Sequence, residues 1–233
     1  MAVITISGQI GTGAREVGRL AAEQLQIDYV DQQILVEAAR ELGVSMESIA
    51  SLDERTASLS DRLAAMLRRF LERSATAGAA DPMLGSDGLD IMLSRSYSEA
   101  AGGEGLQDVP DDRYATALGD IICELAGPGD VLIIGRGSQV ILKDRLDALH
   151  VLLVAPQEHR IEEIVRREGL SAEEAASSVQ EREKGRVSFH RKFFEIEAND
   201  PSLYHLTLNT ARLSSEDVAQ IISETAQRID AQR

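Results

Sequence analysis

The feature that most constrains the fold of this chain is a cluster of three glycines within residues 2–25. The cluster lies between an apolar segment and a helical pattern. The segment before it, AVITI, is apolar and largely β-branched, which predicts a buried strand. Gly8, Gly11 and Gly13 follow, and apolar side chains at helical spacing come next. A strand, a glycine-rich loop and a helix in this order predict an anion site, because N–H groups of the loop and of the first helical turn point to one place.

The glycine spacing matches the P-loop pattern G-x-x-x-x-G-K-[ST] at Gly8 and Gly13. The next two positions depart from it, because Ala14 stands where lysine is expected and Arg15 where serine or threonine is expected. The cradle for phosphate is therefore present without its usual lysine and magnesium-binding hydroxyl. As a phosphate-binding loop, this segment would hold its ligand through Gly8, Gln9, Ile10, Gly11, Thr12, Gly13, Ala14, Arg15 and Glu16.

Two other interpretations of this loop stay open. Gly11 and Gly13 could begin the dinucleotide-binding pattern G-x-G-x-x-G, with Asp31 near the distance of its ribose-binding acid. Glu16 stands at the third glycine of that pattern, however, and no tyrosine has a lysine four residues on, as a short-chain dehydrogenase would need. The third interpretation is a structural glycine turn without a ligand.

The composition restricts the possible partners of the chain. Its 233 residues suit one domain with an elaboration or a lid, and 43% hydrophobic content is enough for a sizeable core. A net charge of −15 argues against non-specific binding of nucleic acid or anionic membranes, so a phosphate ligand would need locally concentrated arginines. Cys123 is the only cysteine, which excludes an intrachain disulfide and favours a cytoplasmic protein. No apolar run reaches the length of a membrane span, and the first is too short for a signal peptide.

Strands and helices alternate along the rest of the chain, which predicts a parallel, three-layered α/β sheet. Predicted strands cover 27–31, 131–134, 149–154 and 204–210, and predicted helices cover 32–42, 58–73, 158–168 and a long stretch from a capping box at Ser171 and Glu174 into the 190s. Residues 74–112 predict a long, partly mobile insertion within one domain spanning 1–233. The amphipathic segment 58–73 is either core or a surface for a partner, such as a second copy in a homodimer.

Two charged residues follow predicted strands, at the sheet edge where open α/β sheets bind ligands. Asp31 ends the second strand, where its carboxylate either caps the next helix or contacts a substrate. Arg136 lies between Gly135 and Gly137 directly after a buried strand. Its guanidinium either binds a ligand or caps loop carbonyls.

Residues 182–192 form the one clearly basic stretch of this acidic chain. On a helix, Arg182 and Arg186 are four positions apart and share a face, so both could grip one polyphosphate. The alternative is a solvated face paired with nearby glutamates. The glycine loop favours the first interpretation, because phosphoryl transfer needs cations over the transferred group.

The chain resembles the cytidylate kinase-like family of P-loop nucleoside-monophosphate kinases. The resemblance rests on segments in the right order outside 74–112: VITISGQIGTGAREVG, IDYVDQQIL, VLIIGRGSQVIL, LHVLLVAPQEHRIEEIVRREGLSAEEA, EREKGR and YHLTLNT. It implies a three-layer P-loop NTPase fold with a five-stranded parallel sheet flanked by helices. It also implies a lid-like helical segment at about 178–197.

The resemblance also implies ligands and residue roles. ATP with Mg²⁺ would bind at the first loop, and CMP or dCMP would be the acceptor. Arg15, Arg182 and Arg186 would be catalytic, and Asp31, Arg136 and Arg191 would bind the substrate. The sequence identifies no metal ligands.

The chain departs from true cytidylate kinases at Ala14, where they have lysine, and at Gly137, where they have aspartate. Arg15 cannot simply replace the lysine, because one residue turns a helix by ~100°. Two hypotheses follow: a nucleoside-monophosphate kinase in which arginines supply the positive charge, or a nucleotide-binding regulatory or interaction protein that has lost the chemistry.

Overall fold

A five-stranded parallel sheet forms the centre of the protein, as the sequence predicted. The structure is a computed structural model that describes residues 2–36, 93, 95–102 and 111–231. The strands are β1 (Val3–Gly8), β2 (Asp28–Val30), β3 (Val131–Ile134), β4 (Ala148–Val154) and β5 (Leu206–Asn209). Their order across the sheet is β2-β3-β1-β4-β5, which places β1 in the middle. The loop after β1 therefore leaves the centre of the sheet.

Helices connect the strands and cover the sheet. They are α1 (Ala14–Leu25), α2 (Tyr97–Gly102), α3 (Asp111–Ala126), α4 (Ser138–Ile141), α5 (Gln157–Glu168), α6 (Ala172–Phe194) and α7 (Ser215–Ala231). Residues 32–36 are also helical, and a 3₁₀ turn covers Pro201–Leu203. The capping box predicted at the start of α6 is confirmed: the Ser171 hydroxyl accepts from the Glu174 N–H, and the Glu174 carboxylate accepts from the Ser171 N–H.

The sheet buries apolar side chains on both faces, which makes the protein three-layered. Successive residues of β1 point to opposite faces, so Val3 belongs to one core and Ile4 and Ile6 to the other. The first core contains side chains of α3 and α6, and the second contains side chains of α1 and α7. Because both faces of the sheet are covered, β1 and β4 are buried along nearly their whole length rather than at alternate residues.

Part of the predicted insertion is built into the fold. Leu93 and Ala100 lie in the first core, so the predicted insertion packs into the fold at these two positions. Helix α2 packs against α6, where Ser98 contacts Gly185 so closely that a Cβ there would lie 2.1 Å from the Ser98 hydroxyl. The predicted helix at 58–73, with its homodimer contact, lies outside the described residues.

None of the helices in the described part of the chain combines the length and the apolar character that a membrane span requires.

Candidate functional site

The loop between β1 and α1 has a conformation that only glycine adopts readily. Gly11 and Gly13 have φ angles of 91° and 73°, and Gly13 is the N-cap of α1. A Cβ at Gly11 would also lie 2.5 Å from the backbone oxygen of Arg160 on α5. The two glycines thus allow the backbone to turn sharply against a neighbouring helix.

Several backbone N–H groups of the loop have no acceptor in the part of the protein that the structure describes. Thr12 closes the turn, since its N–H and its hydroxyl both donate to the Gln9 carbonyl, at 3.1 and 2.7 Å. Among the described residues, no acceptor faces the N–H groups of Gly11, Gly13, Ala14, Arg15 and Glu16. Such unpaired N–H groups at a helix N-terminus are the donors that a phosphate group binds.

Residues Gly8 to Arg15 of this loop line a cavity of about 250 Å³ at the carboxyl end of the sheet, whereas Glu16, which was also predicted to hold the ligand, does not line it. Its other walls come from segments distant in sequence, among them Asp31, Tyr97, Arg136, Ile164, Arg167 and Arg182. The guanidinium-bearing residues of the lining are Arg15, Arg136, Arg167 and Arg182. Despite the net charge of −15, the cavity is therefore rich in positive charge.

The structure confirms that Asp31 caps the next helix, whereas its contact with a substrate stays a prediction. One oxygen of its carboxylate accepts from the N–H of Ile34 at 3.1 Å, which caps the following helix. The other accepts from the Tyr29 hydroxyl at 3.0 Å and lies 3.5 Å from Nε of Arg15. Burial, and then the Asp31 charge, raise the pKa of Tyr29, so the phenol stays protonated and keeps donating. Asp31 thereby holds Arg15 at the cavity.

Arg136 is buried and holds the chain that leads into α2. Its guanidinium donates to the Tyr114 hydroxyl at 3.3 Å and to the carbonyls of Leu93 and Arg95. Tyr97 completes the contact, since its hydroxyl accepts from the Arg136 N–H at 3.0 Å and its ring lies 5.2 Å from the guanidinium carbon. Arg136 thus caps loop carbonyls at the cavity wall, and its substrate role stays a prediction.

The two arginines predicted to grip one polyphosphate lie in different environments. Arg182 lines the cavity, and its half-exposed guanidinium pairs with Glu168 at 2.8 Å. Arg186 is 1% exposed and does not line the cavity in the described structure. It pairs with Glu183 at 2.6 Å and also donates to the side-chain oxygen of Asn199. The alternative interpretation, a solvated helix face, is therefore wrong for Arg186, and its contact with a polyphosphate stays a prediction.

Arg191 also lies away from the cavity lining. Its guanidinium pairs with Glu197 at 2.7 Å, and both side chains are exposed. The structure therefore brings Arg15, Arg182, Asp31 and Arg136 together with the loop and leaves Arg186 and Arg191 outside.

Sequence reasoning missed three residues around the loop. Arg160 and Arg167 extend from α5, and Glu183 extends from α6 to accept from the N–H of Ile10 at 2.9 Å. The spacing of Arg160, Ile164 and Arg167 was an available signal, because positions i, i+4 and i+7 share one helix face. Nothing in the sequence linked Glu183 to a loop 173 residues away.

Glu183 remains ionised at this position. Burial by itself raises the pKa of its carboxyl group. The hydrogen bonds and charge of Arg186, together with the Ile10 N–H, lower that pKa by more than burial raises it. The net effect is a pKa below the ordinary value of glutamate. A charged carboxylate therefore faces the glycine loop.

Comparisons with known proteins relate the chain to one family. The model of the cytidylate kinase-like family matches residues 3–212. The chain is 35% identical over 229 residues to a cytidylate kinase of Methanopyrus kandleri, covering 94% of this chain and 90% of that protein. A cytidylate kinase of Pyrococcus horikoshii is 35% identical over 107 residues, covering 46% of this chain and 55% of the relative.

A solved structure supports the fold alone. An uncharacterized protein from Eubacterium ventriosum superimposes with a TM-score of 0.59 and is 16% identical, and the match covers 99% of this chain and 98% of that one.

Proposed function

The chain belongs to the cytidylate kinase-like family, and from this premise we propose that it transfers the γ-phosphoryl group of ATP to CMP, dCMP or a related nucleoside monophosphate. An oxygen of the acceptor phosphate would attack the γ-phosphorus, and the bond to the bridging oxygen of ADP would break. The observation that carries this proposal is the set of unpaired loop N–H groups at a cavity lined by guanidinium groups.

The loop would hold the donor phosphates. Its N–H donors are fixed by the glycine turn before a ligand arrives, and preorganised donors of this kind stabilise the charge of a phosphoryl-transfer transition state. A cavity of about 250 Å³ lies just below the ~300–1,000 Å³ of typical ligand pockets. It would therefore enclose the phosphates rather than a whole nucleotide.

Arginines would supply the positive charge that lysine supplies in other P-loops. Arg15 and Arg182 are each held by one carboxylate. Arg167, in contrast, has no ion-pair partner within the described ranges. Its guanidinium is thus the one most available to an anion, and a planar fork of donors suits phosphate oxygens.

Mg²⁺ would accompany ATP rather than occupy a protein cage. No group of three or more His, Cys, Asp or Glu side chains that could hold a metal ion occurs in the described residues. Mg²⁺ commonly binds substrate phosphates with one or two carboxylates. Asp31 is the carboxylate that lines the cavity, and together with Arg136 it would contact the acceptor.

A second candidate function has a specific observation in its favour. Ala14 leaves the first helical turn without a lysine, and the Arg186 guanidinium forms an ion pair with Glu183 instead of lining the cavity. Both facts would suit a protein that binds nucleotide for a regulatory or interaction role without turning it over.

A coupled assay for ADP release, run with CMP, dCMP, UMP and AMP in turn, separates the two functions. We expect release that depends on a cytidine monophosphate and falls ~10²-fold in Arg167→Ala, as losing a preorganised charge contact typically causes. Arg166→Ala is the matched control, because that neighbour is exposed and pairs with Glu163. Calorimetric ATP binding without ADP release would favour the regulatory function, and absence of ATP binding would refute both.

A further inference from the structure

Ile10, at the tip of the phosphate loop, is held on both sides by side chains from two different helices. Its N–H donates to the Glu183 carboxylate of α6 at 2.9 Å, and its carbonyl accepts from the Arg160 guanidinium of α5 at 3.3 Å. We call these three residues the Ile10 clamp. Both polar groups of one loop residue are thereby satisfied directly before the turn at Gly11.

The Glu183 side of the clamp is anchored by a buried ion pair. Arg186 donates to both Glu183 oxygens and reaches the Ser7 hydroxyl of β1 at 3.4 Å. Its side chain is 2% exposed and that of Glu183 is 17% exposed, so water competes little for either group. Because the guanidinium neutralises the carboxylate, Glu183 can approach the loop without making the site repel phosphate.

The Arg160 side is anchored through the residue after β4. Arg160 donates through Nε to the Ala155 carbonyl at 3.2 Å, and the Ala155 N–H donates to the Gln9 side chain at 3.1 Å. Gly11 then packs on the Arg160 backbone itself. Gln9, before Ile10, is thus fixed to Ala155, and Gly11, after it, is packed against α5.

We infer that Glu183 is a positioning residue of the phosphate loop: it holds Ile10 so that the Gly11 turn presents the following N–H groups to the donor phosphates. The inference rests on the proposed function for the ligand, but the contact itself exists without one. Preorganisation of this kind strengthens binding, because the loop loses no further conformational freedom when the ligand arrives. Arg186 acts one step further away, by fixing Glu183.

The same contact permits an opposite hypothesis, which the experiment must separate. A carboxylate on a phosphate loop could stand in for the ligand, so that ATP would have to displace it. Removing Glu183 would then strengthen ATP binding, whereas removing a positioning residue weakens it.

The test uses Glu183→Ala and Glu183→Gln, with Glu181→Gln as the control on the exposed face of the same helix. Amide exchange of Ile10 is measured by NMR in the full chain without nucleotide, and ATP binding is measured by calorimetry. We expect Glu183→Ala to speed Ile10 exchange and to weaken ATP binding, each by ~10-fold, the equivalent of one lost hydrogen bond to a charged group. Glu183→Gln keeps a carbonyl that accepts from Ile10, so it should lie between Glu183→Ala and the parent.

Each other result overturns the inference. Tighter ATP binding in either variant would identify a displaced stand-in, and unchanged Ile10 exchange would show that the contact does not hold the loop. If Glu183→Ala fails to fold, Glu183→Gln decides alone, because unchanged exchange and unchanged ATP affinity in it would refute positioning. A parent protein that binds no ATP would refute the proposed function, while the exchange measurement would still judge the Ile10 clamp.

Discussion

Replacing Arg186 should damage the fold, whereas replacing Arg182 should damage only the site. The two arginines lie one helical turn apart on α6 and look equivalent in the sequence. Arg186→Ala and Arg182→Ala form a matched pair, because each removes the same side chain from the same helix. Only the surroundings differ.

The structure sets the expected magnitudes. Arg186→Ala would leave the Glu183 carboxylate charged and largely buried, with the Ile10 N–H as its one remaining donor among the described residues, and would remove the Arg186 donor from Asn199. Removing one partner of a buried ion pair costs ~3–5 kcal/mol, since the remaining charge is uncompensated. The Arg182 side chain is 45% exposed in its pair with Glu168, and such surface pairs contribute ~0–1 kcal/mol.

Urea unfolding, monitored by far-ultraviolet circular dichroism, measures the free energy of unfolding of each variant. Calorimetric titration then measures ATP binding by each variant under conditions in which it is folded. We expect Arg186→Ala to lose at least ~3 kcal/mol of unfolding free energy, and Arg182→Ala to keep its stability while binding ATP more weakly. Salt should reduce the Arg182 effect, because screening weakens exposed charges more than buried ones. Equal stability of the two variants would refute the buried ion pair in solution.

Two further predictions concern a helix contact and a buried histidine. Gly185→Ala should destabilise the protein by ~1–3 kcal/mol, because its Cβ would lie 2.9 Å from the Ser98 backbone nitrogen. Gly119→Ala, which has open space around its Cβ, should stabilise the protein by ~0.5–1 kcal/mol. Thermal unfolding of both variants tests this prediction, and stabilisation by both would contradict the α2–α6 contact. Burial, helped by the nearby His205 charge, lowers the pKa of His150 to about 4. The unfolded state therefore binds the His150 proton at a higher pH than the folded state, so protonation favours unfolding. The free energy of unfolding should be unaffected above pH ~6.5 and should fall by up to ~3 kcal/mol as the pH falls toward ~4. Urea unfolding of the parent and of His150→Asn across this pH range tests the prediction. If the free energy of unfolding depends on pH equally in both proteins, His150 is not the cause of that dependence.

The central unit of the fold was predictable because its signals are local. A β-branched apolar run is typical of a doubly covered strand, and the spacing of Gly8, Gly11 and Gly13 indicates a turn that bulkier residues resist. The capping box at Ser171 and Glu174 likewise lies within one helical turn. Parallel strands also require connecting helices, so the layered sheet followed from the alternation of elements.

The roles of the arginines were less predictable, because each depends on a partner from elsewhere in the chain. The predicted helix that carries both Arg182 and Arg186 is confirmed, but helical spacing could not indicate which of them faces a cavity and which faces the core. Glu183 reaches across 173 residues to Ile10, and Arg136 reaches back 43 residues to the Leu93 carbonyl. No local pattern encodes either contact.

The sequence by itself determined the strand, glycine loop and helix at the start of the chain, together with the parallel α/β sheet around them, since these follow from backbone conformation and apolar periodicity. Only the tertiary structure decided which charges serve the loop. Coulomb and hydrogen-bond energies depend on distance and burial, which are set when remote segments pack together. Arg186 is therefore part of the core and Arg167 part of the cavity lining, a division that residue type and spacing alone leave undecided.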